Sequence, residues 1–426
     1  MNPSWIDEIV KQHEEFEPPL NFWRWSAIAS ISAVVKDTVW LDRQIFNLYP
    51  NIYVMFHADS GLKKGPPVNM AKRLVKAVNN TRIISGRSSI QGILKKLGDA
   101  YTTPGGHVVN KAVAFICSSE LSSSIVEDKV ATTILTDLYD RQYNVGEWQS
   151  LLKMETFDLK DPTITMLTAT NEAHSDDFFM KKDITGGYFA RTFIIHESEG
   201  NRSNSLSVPL KTKIDYDKSA QYLKSLTKIS GPFQSLGAIE KSEDYPYPFP
   251  DKKSGEVKYY SEAGILFESW YNDFDDLRKT IKDSTGTLNR FDSSVLKVAM
   301  LLSLARAPTL IIDPESMAEA IVTCEKLLGN IRRITLGKTG GSEATDAVRK
   351  TIFIQELLER QNHAISRVQL LKKYWMQGTV KEWDDTILSF TENEVIKEIR
   401  YGNQIVYEMT EKSIVEFKEF FGGKMK

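Results

Sequence analysis

Residues 51–67 read NIYVMFHADSGLKKGPP, an apolar run followed by a small polar turn that contains two lysines. The apolar run, residues 52–56, has the length and composition of a buried strand. Residues 68–78 follow the turn and are compatible with a helix. The stretch therefore predicts a strand, a glycine-containing loop and a helix, in that order.

The loop between this strand and helix fits the Walker A pattern G-x-x-x-x-G-K-[ST] at its lysine. In the best register Lys64 is that lysine, and Gly65 stands at the Ser/Thr position. Ala58 and Lys63 stand at the two glycine positions, while Gly61 supplies backbone freedom inside the loop. The lysine and the loop glycine are the features that favour a phosphate-binding loop.

A loop of this kind binds phosphate oxygens through its backbone N–H groups, and its lysine reaches the β- and γ-phosphates. We therefore expect a nucleotide here. The predicted cofactor-binding residues are Ala58, Asp59, Ser60, Gly61, Leu62, Lys63, Lys64 and Gly65. The alternative is an ordinary strand-to-helix turn with solvated lysines.

A second apolar run, residues 112–117, is followed by Ser118-Ser119-Glu120. In a Walker B element such a strand ends in two acids, of which the first holds magnesium through water and the second polarises the attacking water. Ser119 takes the first place and is the predicted metal-site residue, while Glu120 takes the second. The alternative is a strand end with a solvated glutamate.

A third apolar run, residues 162–170, ends in Asn171, the place of the sensor-1 residue that orients the lytic water in ring ATPases. Residues 183–191, DITGGYFAR, lead into a further strand, residues 192–196. At that strand's edge Arg191 can act as a finger that reaches the γ-phosphate of a neighbouring subunit. The alternative for Arg191 is a surface salt bridge worth less than about 1 kcal/mol.

These elements, in this order, resemble the helicase-like P-loop ATPases of phages and mobile elements, which are often fused to primase domains. The resembling stretches are NFWRWSAIASISAVV, HADSGLKKGPP, ICSSEL, LTDLYDR, TITMLTATNEAH and ITGGYFARTF. The resemblance covers residues 5–333, and the same region is distantly similar to the AAA+ core of minichromosome-maintenance helicases. It implies an α/β fold with a P-loop NTPase core of the AAA+ or RecA-like type.

By this resemblance Arg191 is the arginine finger, and Arg290, in TLNRFDSSVLKVAMLLSLA, is the sensor-2 arginine. Residues 139–158 correspond to a pore-facing hairpin. Arg141 and Lys153 are then the expected DNA contacts.

The chain departs from the family pattern at both protein-side magnesium positions, Gly65 and Ser119. Because Mg²⁺ keeps several waters and needs few protein ligands, phosphates and water can still hold it, with Asp59 or Ser119 assisting. Equally, such a site can bind nucleotide without turning it over quickly. Both readings stay open at the level of sequence.

The motifs, the order of the predicted elements and the resemblance divide the chain into four expected segments. They are an N-terminal helical segment at 1–50, the ATPase core at 51–199, an α-helical lid at 200–336 and a winged-helix domain at 343–426. The aromatic residues of the first segment are expected to pack in the core rather than stack on bases. The last segment has helix-helix-helix-hairpin order and either enters a DNA groove or docks on protein.

The chain has 41% hydrophobic and 26% charged residues and a formal net charge of −2, values typical of a globular protein. Any nucleic-acid contact must therefore come from local basic patches. Cys117 and Cys324 have apolar neighbours and no metal-ligand spacing, which predicts reduced core thiols. We expect a cytoplasmic protein, in the host cytoplasm if the protein is viral, with no membrane partner.

The sequence thus predicts an ATP-dependent DNA helicase or translocase with ATP and Mg²⁺ as cofactors, acting in phage or mobile-element replication. Its partners are single-stranded or forked DNA, further copies of the chain in a hexameric ring, and a separate primase. The alternative is a nucleotide-gated DNA clamp or helicase loader with little or no hydrolysis. A protein-interaction scaffold with a vestigial site is the third reading.

Overall fold

The computed structural model describes residues 3–86, 88–102, 108–119, 129–140, 147–151, 156–170, 187–201, 214–238, 240–250, 256–280, 286–336, 342–360, 362–373, 380–401 and 404–422. The chain divides into two compact units, Met1–Ile331 and Arg332–Lys426. Each unit contains a hydrophobic core of its own.

Helices and strands alternate through much of the first unit. The helices are α1 (Trp5–Gln12), α2 (Leu20–Val35), α3 (Gly65–Val78), α4 (Ile90–Gly98), α5 (Lys129–Asp140), α6 (Tyr216–Leu226), α7 (Glu262–Thr280), α8 (Phe291–Arg306), α9 (Pro314–Leu336), α10 (Ser342–Glu359), α11 (Arg367–Lys373), α12 (Val380–Glu392) and α13 (Glu411–Gly422). None of these helices, as far as their residues are described, is long and apolar enough to cross a lipid bilayer.

The strands are β1 (Val39–Asp42), β2 (Asn47–Leu48), β3 (Tyr53–His57), β4 (Arg82–Ser85), β5 (Tyr101–Thr102), β6 (Val108–Val109), β7 (Val113–Ser118), β8 (Glu147–Leu151), β9 (Thr156–Lys160), β10 (Thr163–Thr170), β11 (Thr192–His196), β12 (Gly231–Pro232), β13 (Gly237–Ala238), β14 (Tyr247–Pro250), β15 (Val257–Tyr260), β16 (Ala364–Ser366), β17 (Ile396–Tyr401) and β18 (Gln404–Met409).

A five-stranded parallel sheet forms the centre of the first unit, with strand order β11-β3-β10-β7-β4. Every residue of β3 is buried, and so is all of β10 except its last residue. Continuous apolar strands suit a parallel sheet because crossover helices cover both of its faces. The α/β class expected from the sequence is confirmed, and the four apolar runs form strands within one residue of their predicted positions.

The strand order places β3 between β10 and β11. After β3 the chain crosses to β4, the outermost strand on the far side of the sheet, and returns through β7 and β10. Because all five strands are parallel, their carboxyl ends meet at one edge of the sheet and their amino ends at the other. We call these two sides of the sheet the carboxyl edge and the amino edge, after the strand ends that lie there.

Helix α2 is hydrophobic around almost its whole circumference and lies against α3 and β10. Phe22 stacks on Phe56 with ring centroids 4.4 Å apart, and Trp25 lies 5.1 Å from Phe193. Two of its buried serines form hydrogen bonds: the Ser30 hydroxyl donates to the Ser26 carbonyl oxygen at 2.8 Å, and the Ser32 and Thr165 hydroxyls lie 2.7 Å apart. The aromatic side chains of α2 are core residues, as the sequence led us to expect.

One hydrophobic cluster in the first unit joins residues from Trp5 to Leu327 and so draws on all three segments predicted there. In the second unit, α10, α11 and α12 surround a core that contains Phe353, Trp383 and Tyr407. A three-stranded antiparallel sheet of order β16-β18-β17 completes this unit.

The stacking of Phe22 on Phe56 predicts a large loss of stability on truncation. Phe22→Ala should lower the free energy of unfolding by about 3–5 kcal/mol, because it removes a fully buried ring and leaves a cavity. Leu20→Ala, on the same helix at 36% exposure, is the matched control and should cost less than about 1 kcal/mol. Urea denaturation followed by tryptophan fluorescence measures both, and equal losses would contradict the packing described.

Candidate functional site

The predicted nucleotide loop leaves the carboxyl end of β3 and runs directly into α3. The carboxyl ends of β7 and β11 lie at the same edge, and bring Ser119 and His196 to it. In open α/β sheets, ligands bind outside the carboxyl ends of the strands. Two predicted catalytic residues, Glu120 and Asn171, lie outside the described residues.

Lys64 closes the loop on itself. Its Nζ donates to the carbonyl oxygens of Ala58 at 2.7 Å and Asp59 at 2.8 Å. The loop turns sharply through the positive φ values of Gly61 and Lys63, 109° and 48°. The ammonium group is therefore held between the end of the strand and the start of the helix, where a phosphate on the loop would lie.

The first turn of α3 is poor in hydrogen-bond donors. Gly65, Pro66 and Pro67 open the helix, and proline carries no N–H group. Two donors that a phosphate can use at an ordinary helix N-terminus are therefore missing. Donors for a phosphate must come from residues 59–65, and the charge of Lys64 carries more of the attraction.

The two altered magnesium positions lie side by side. A Cβ atom placed on Gly65 would lie 3.8 Å from the Cβ of Ser119, an ordinary van der Waals contact. The sequence positions that flank Mg²⁺ in the family pattern are thus brought together, although they are 54 residues apart in the chain. Between them they offer one hydroxyl group and no carboxylate, so phosphates and water would supply most ligands of a bound Mg²⁺.

The loop rests on two other segments of the chain. Lys63 forms an ion pair with Glu17, and Leu62 packs near Gly200. The Asn201 backbone N–H donates to the Glu17 carbonyl at 2.9 Å, which ties the two supporting segments together. The loop is therefore braced by the N-terminal segment and by the chain that leaves β11.

Sequence reasoning missed a pair of histidines at this edge. His57 and His196 end the adjacent strands β3 and β11, and their Nδ1 atoms lie 2.9 Å apart. At this distance one Nδ1 atom donates its N–H and the other accepts it, so the two rings have different tautomers or charges at these nitrogens. The signal was available in the sequence, because each histidine follows an apolar run that was predicted to be a strand.

The two predicted arginines come together at the opposite edge of the sheet. Arg191 lies just before β11, and Arg290 lies just before α8. Both bond to Asp140, the last residue of α5. The Arg191 Nε lies 3.2 Å from both carboxylate oxygens, and the Arg290 Nη1 lies 3.3 Å from both. Asp140 was not among the residues selected from the sequence.

The arginine pair and the Lys64 loop lie at opposite ends of the strands, so they are separated by about the length of one strand. A five-residue strand spans about 13 Å from its first residue to its last. The loop follows the last residue of β3, whereas Arg191 precedes the first residue of β11, which lies beside it. Within one chain, then, the structure brings Lys64, Gly65 and Ser119 together and the two arginines together, but not the two groups. Arg141 and Lys153 lie outside the described residues.

A buried lysine adjoins the arginine pair. Lys297 is 4% exposed, its Nζ donates to the backbone and side-chain oxygens of Asn51 at 2.9 Å, and it lies 3.8 Å from the ring centroid of Tyr139. Burial lowers its pKa to about 7, because removal from water disfavours the charged ammonium, while Asp140 opposes the shift. Lys297 ties α8 to the amino edge of the sheet.

The lowered pKa of Lys297 predicts a pH dependence of stability. Between pH 7 and about 10.5 the unfolded chain holds a proton on this lysine that the folded chain has lost, so the folded state gains stability as pH rises. The stability of the wild type relative to Lys297→Met should increase by about 1 kcal/mol per pH unit. Urea denaturation from pH 7 to pH 9.5 tests this, with exposed Lys76→Met as the control. Parallel pH curves for Lys297→Met and the wild type would contradict it.

Comparison of the sequence with models of known protein families and with curated proteins found no match. The geometry of the two sheet edges therefore supplies the grounds for a functional proposal. One edge carries a lysine loop beside Ser119. The other carries a carboxylate that joins two arginines.

Proposed function

We propose that this protein is an ATP-dependent DNA helicase or translocase that works as a ring of identical subunits. The observation that carries the proposal is the meeting of the Lys64 loop with Ser119 at the carboxyl edge of a parallel sheet. In the proposed P-loop core, these residues correspond to the Walker A lysine and the first Walker B position.

The strand order supports the same reading. β10, whose end precedes Asn171, lies between β3 and β7. The predicted water-positioning Glu120 and sensor Asn171 therefore follow strands whose ends lie at the same edge as Lys64. When bound, ATP with Mg²⁺ supplies a γ-phosphoryl group that water can attack. Lys64 would hold the phosphates, Glu120 would position the water, and Asn171 would sense the γ-phosphate.

The location of the arginines supports a ring. Arg191 and Arg290 lie at the amino edge, away from the loop of their own chain, so the positive charge of this pair can act on a phosphate only in a neighbouring copy. A closed ring, for which we propose six subunits, places the amino edge of each copy against the loop of the next.

The proposed DNA contacts lie in two places. β8 and β9 pair as an antiparallel ribbon that overlaps the segment 139–158 proposed to face the pore, whereas Tyr139 and Asp140 belong to α5. Arg141 and Lys153 belong to the same segment. The second unit has the helix and strand order of a winged helix and would add a further contact to DNA or to protein. Priming would require a separate primase chain.

ATP turnover by the full chain tests the proposal. The wild type should hydrolyse ATP faster with single-stranded DNA, and Glu120→Gln should lower kcat by about 100-fold, because a positioned base contributes at least that factor. Lys64→Ala should raise the Kd for ATP at least about tenfold, while Lys76→Ala, at an exposed position of the following helix α3, should leave it unchanged. A Lys64→Ala variant that binds ATP normally would contradict the assignment of residues 58–65 as the nucleotide-binding loop.

A second function is favoured by the adjacent Gly65 and Ser119. Because neither supplies a carboxylate and only one supplies a hydroxyl, the site has weak means of its own to hold Mg²⁺. A nucleotide-gated DNA clamp or helicase loader needs binding but not rapid hydrolysis. In this case ATP binding would close the ring on DNA, and slow turnover would release it.

Restoring the missing ligands separates the two functions. The double substitution Gly65→Ser with Ser119→Asp should fold, since the added Cβ meets only an ordinary contact. If the wild type is a clamp, this variant should raise ATP turnover at least about tenfold, because Mg²⁺ then gains a hydroxyl ligand and a carboxylate that holds it through water. Gly65→Ala with Ser119→Ala is the matched control that adds no ligand. Turnover no higher in the restored variant than in this control would remove the clamp explanation.

A further inference from the structure

We propose that Asp140 and Arg191 are positioning residues, and that they hold Arg290 as the guanidinium group that meets the nucleotide of a neighbouring subunit. This inference rests on the proposed ring ATPase. It assigns different roles to the two arginines, which the sequence analysis predicted to contact phosphate independently.

The guanidinium group of Arg191 is buried and bonded to groups of its own chain. Its side chain is 7% exposed, and its Nε and Nη2 bond to the Asp140 carboxylate in a bidentate arrangement. Its Nη1 donates to the Gly187 carbonyl at 2.8 Å. A guanidinium group that is buried and bonded on three nitrogens has little left to offer a phosphate of another subunit.

Gly187 is part of the socket that holds Arg191. Its φ of +74° is a conformation that side chains rarely adopt, and a Cβ atom there would lie 2.8 Å from the Arg191 Nη1. The glycine and the arginine of GGYFAR are therefore coupled through space. The GGYFAR segment therefore fixes the side chain of Arg191 in one position within its own chain.

Arg290 has the opposite character. Its side chain is 40% exposed, and one of its nitrogens, Nη1, makes the contacts of 3.3 Å with both oxygens of Asp140. One carboxylate faces two guanidinium groups, so the group of three carries a net positive charge. That charge reaches solvent mainly through Arg290, the most exposed of the three.

Helix stability does not explain a carboxylate at the position of Asp140. It is the last residue of α5, where the helix dipole disfavours negative charge. The two arginines offset this cost and are in turn fixed by the carboxylate. Asp140 therefore acts on the neighbour's nucleotide through the orientation of Arg290.

Conservative substitutions separate contact from positioning. Arg290→Lys should lower kcat for ATP at least about 100-fold, because lysine does not replace the planar guanidinium group at a phosphate. Arg191→Lys keeps a cation opposite Asp140 and should lose only about tenfold, and Asp140→Asn should lose a similar factor. In all three, the KM for ATP should stay within about twofold of the wild type, because the subunit's own loop is intact.

Two controls accompany these measurements. Arg278→Ala removes another ion-paired arginine, whose partner Asp275 lies on the same helix, and should leave kcat unchanged. The double variant Asp140→Asn with Arg290→Ala should be no slower than Arg290→Ala alone, since Asp140 acts through Arg290. Thermal unfolding should show Arg290→Lys within about 3 °C of the wild type.

ATP-dependent assembly, measured by size-exclusion chromatography with light scattering, is read in parallel for each variant. Arg290→Lys should weaken the assembly that ATP induces in the wild type, and Arg191→Lys should largely retain it. The division of roles is overturned if Arg191→Lys loses as much as Arg290→Lys, or if Arg290→Lys behaves as the wild type. A wild type that neither assembles with ATP nor hydrolyses it overturns the proposed function and this inference together.

Discussion

Burial of both faces of the five-stranded parallel sheet is the constraint on which the rest of this structure depends. Parallel strands cannot be joined by tight turns, so helices must cross over the faces and cover them. α2 and one face of α3 are buried for this reason, and α2 is apolar nearly all round. The same constraint brings every strand's carboxyl end to one edge, where the Lys64 loop lies beside Ser119.

The two edges of this sheet carry different charged groups with different partners. At the carboxyl edge, the Lys64 ammonium group donates to the carbonyl oxygens of Ala58 and Asp59. At the amino edge, Asp140 offsets the charge of two arginines and fixes their geometry. In the proposed ring, a neighbouring copy would bring these two groups together at one nucleotide. This physical separation is why the proposed activity is tied to assembly.

Local pattern was sufficient to predict part of the site. The apolar runs at residues 52–56 and 192–196 read as strands, and both form strands of the same sheet. Lys64 was identified because the loop fits the Walker A pattern at this lysine. Asp140 could not be identified in this way, since its partners lie 51 and 150 residues further along the chain. The residues next to Asp140 in the sequence do not show which side chains its carboxylate binds.

The amino-acid sequence by itself determined the alternation of strands and helices, the loop that carries Lys64 and the apolar character of α2. These features follow from side-chain periodicity and turn chemistry, which act over a few residues. The tertiary structure alone decided the strand order, the contact of Gly65 with Ser119 and the placing of the arginines at the far edge. Those depend on which buried strands pair across long stretches of chain, and no local pattern specifies that pairing.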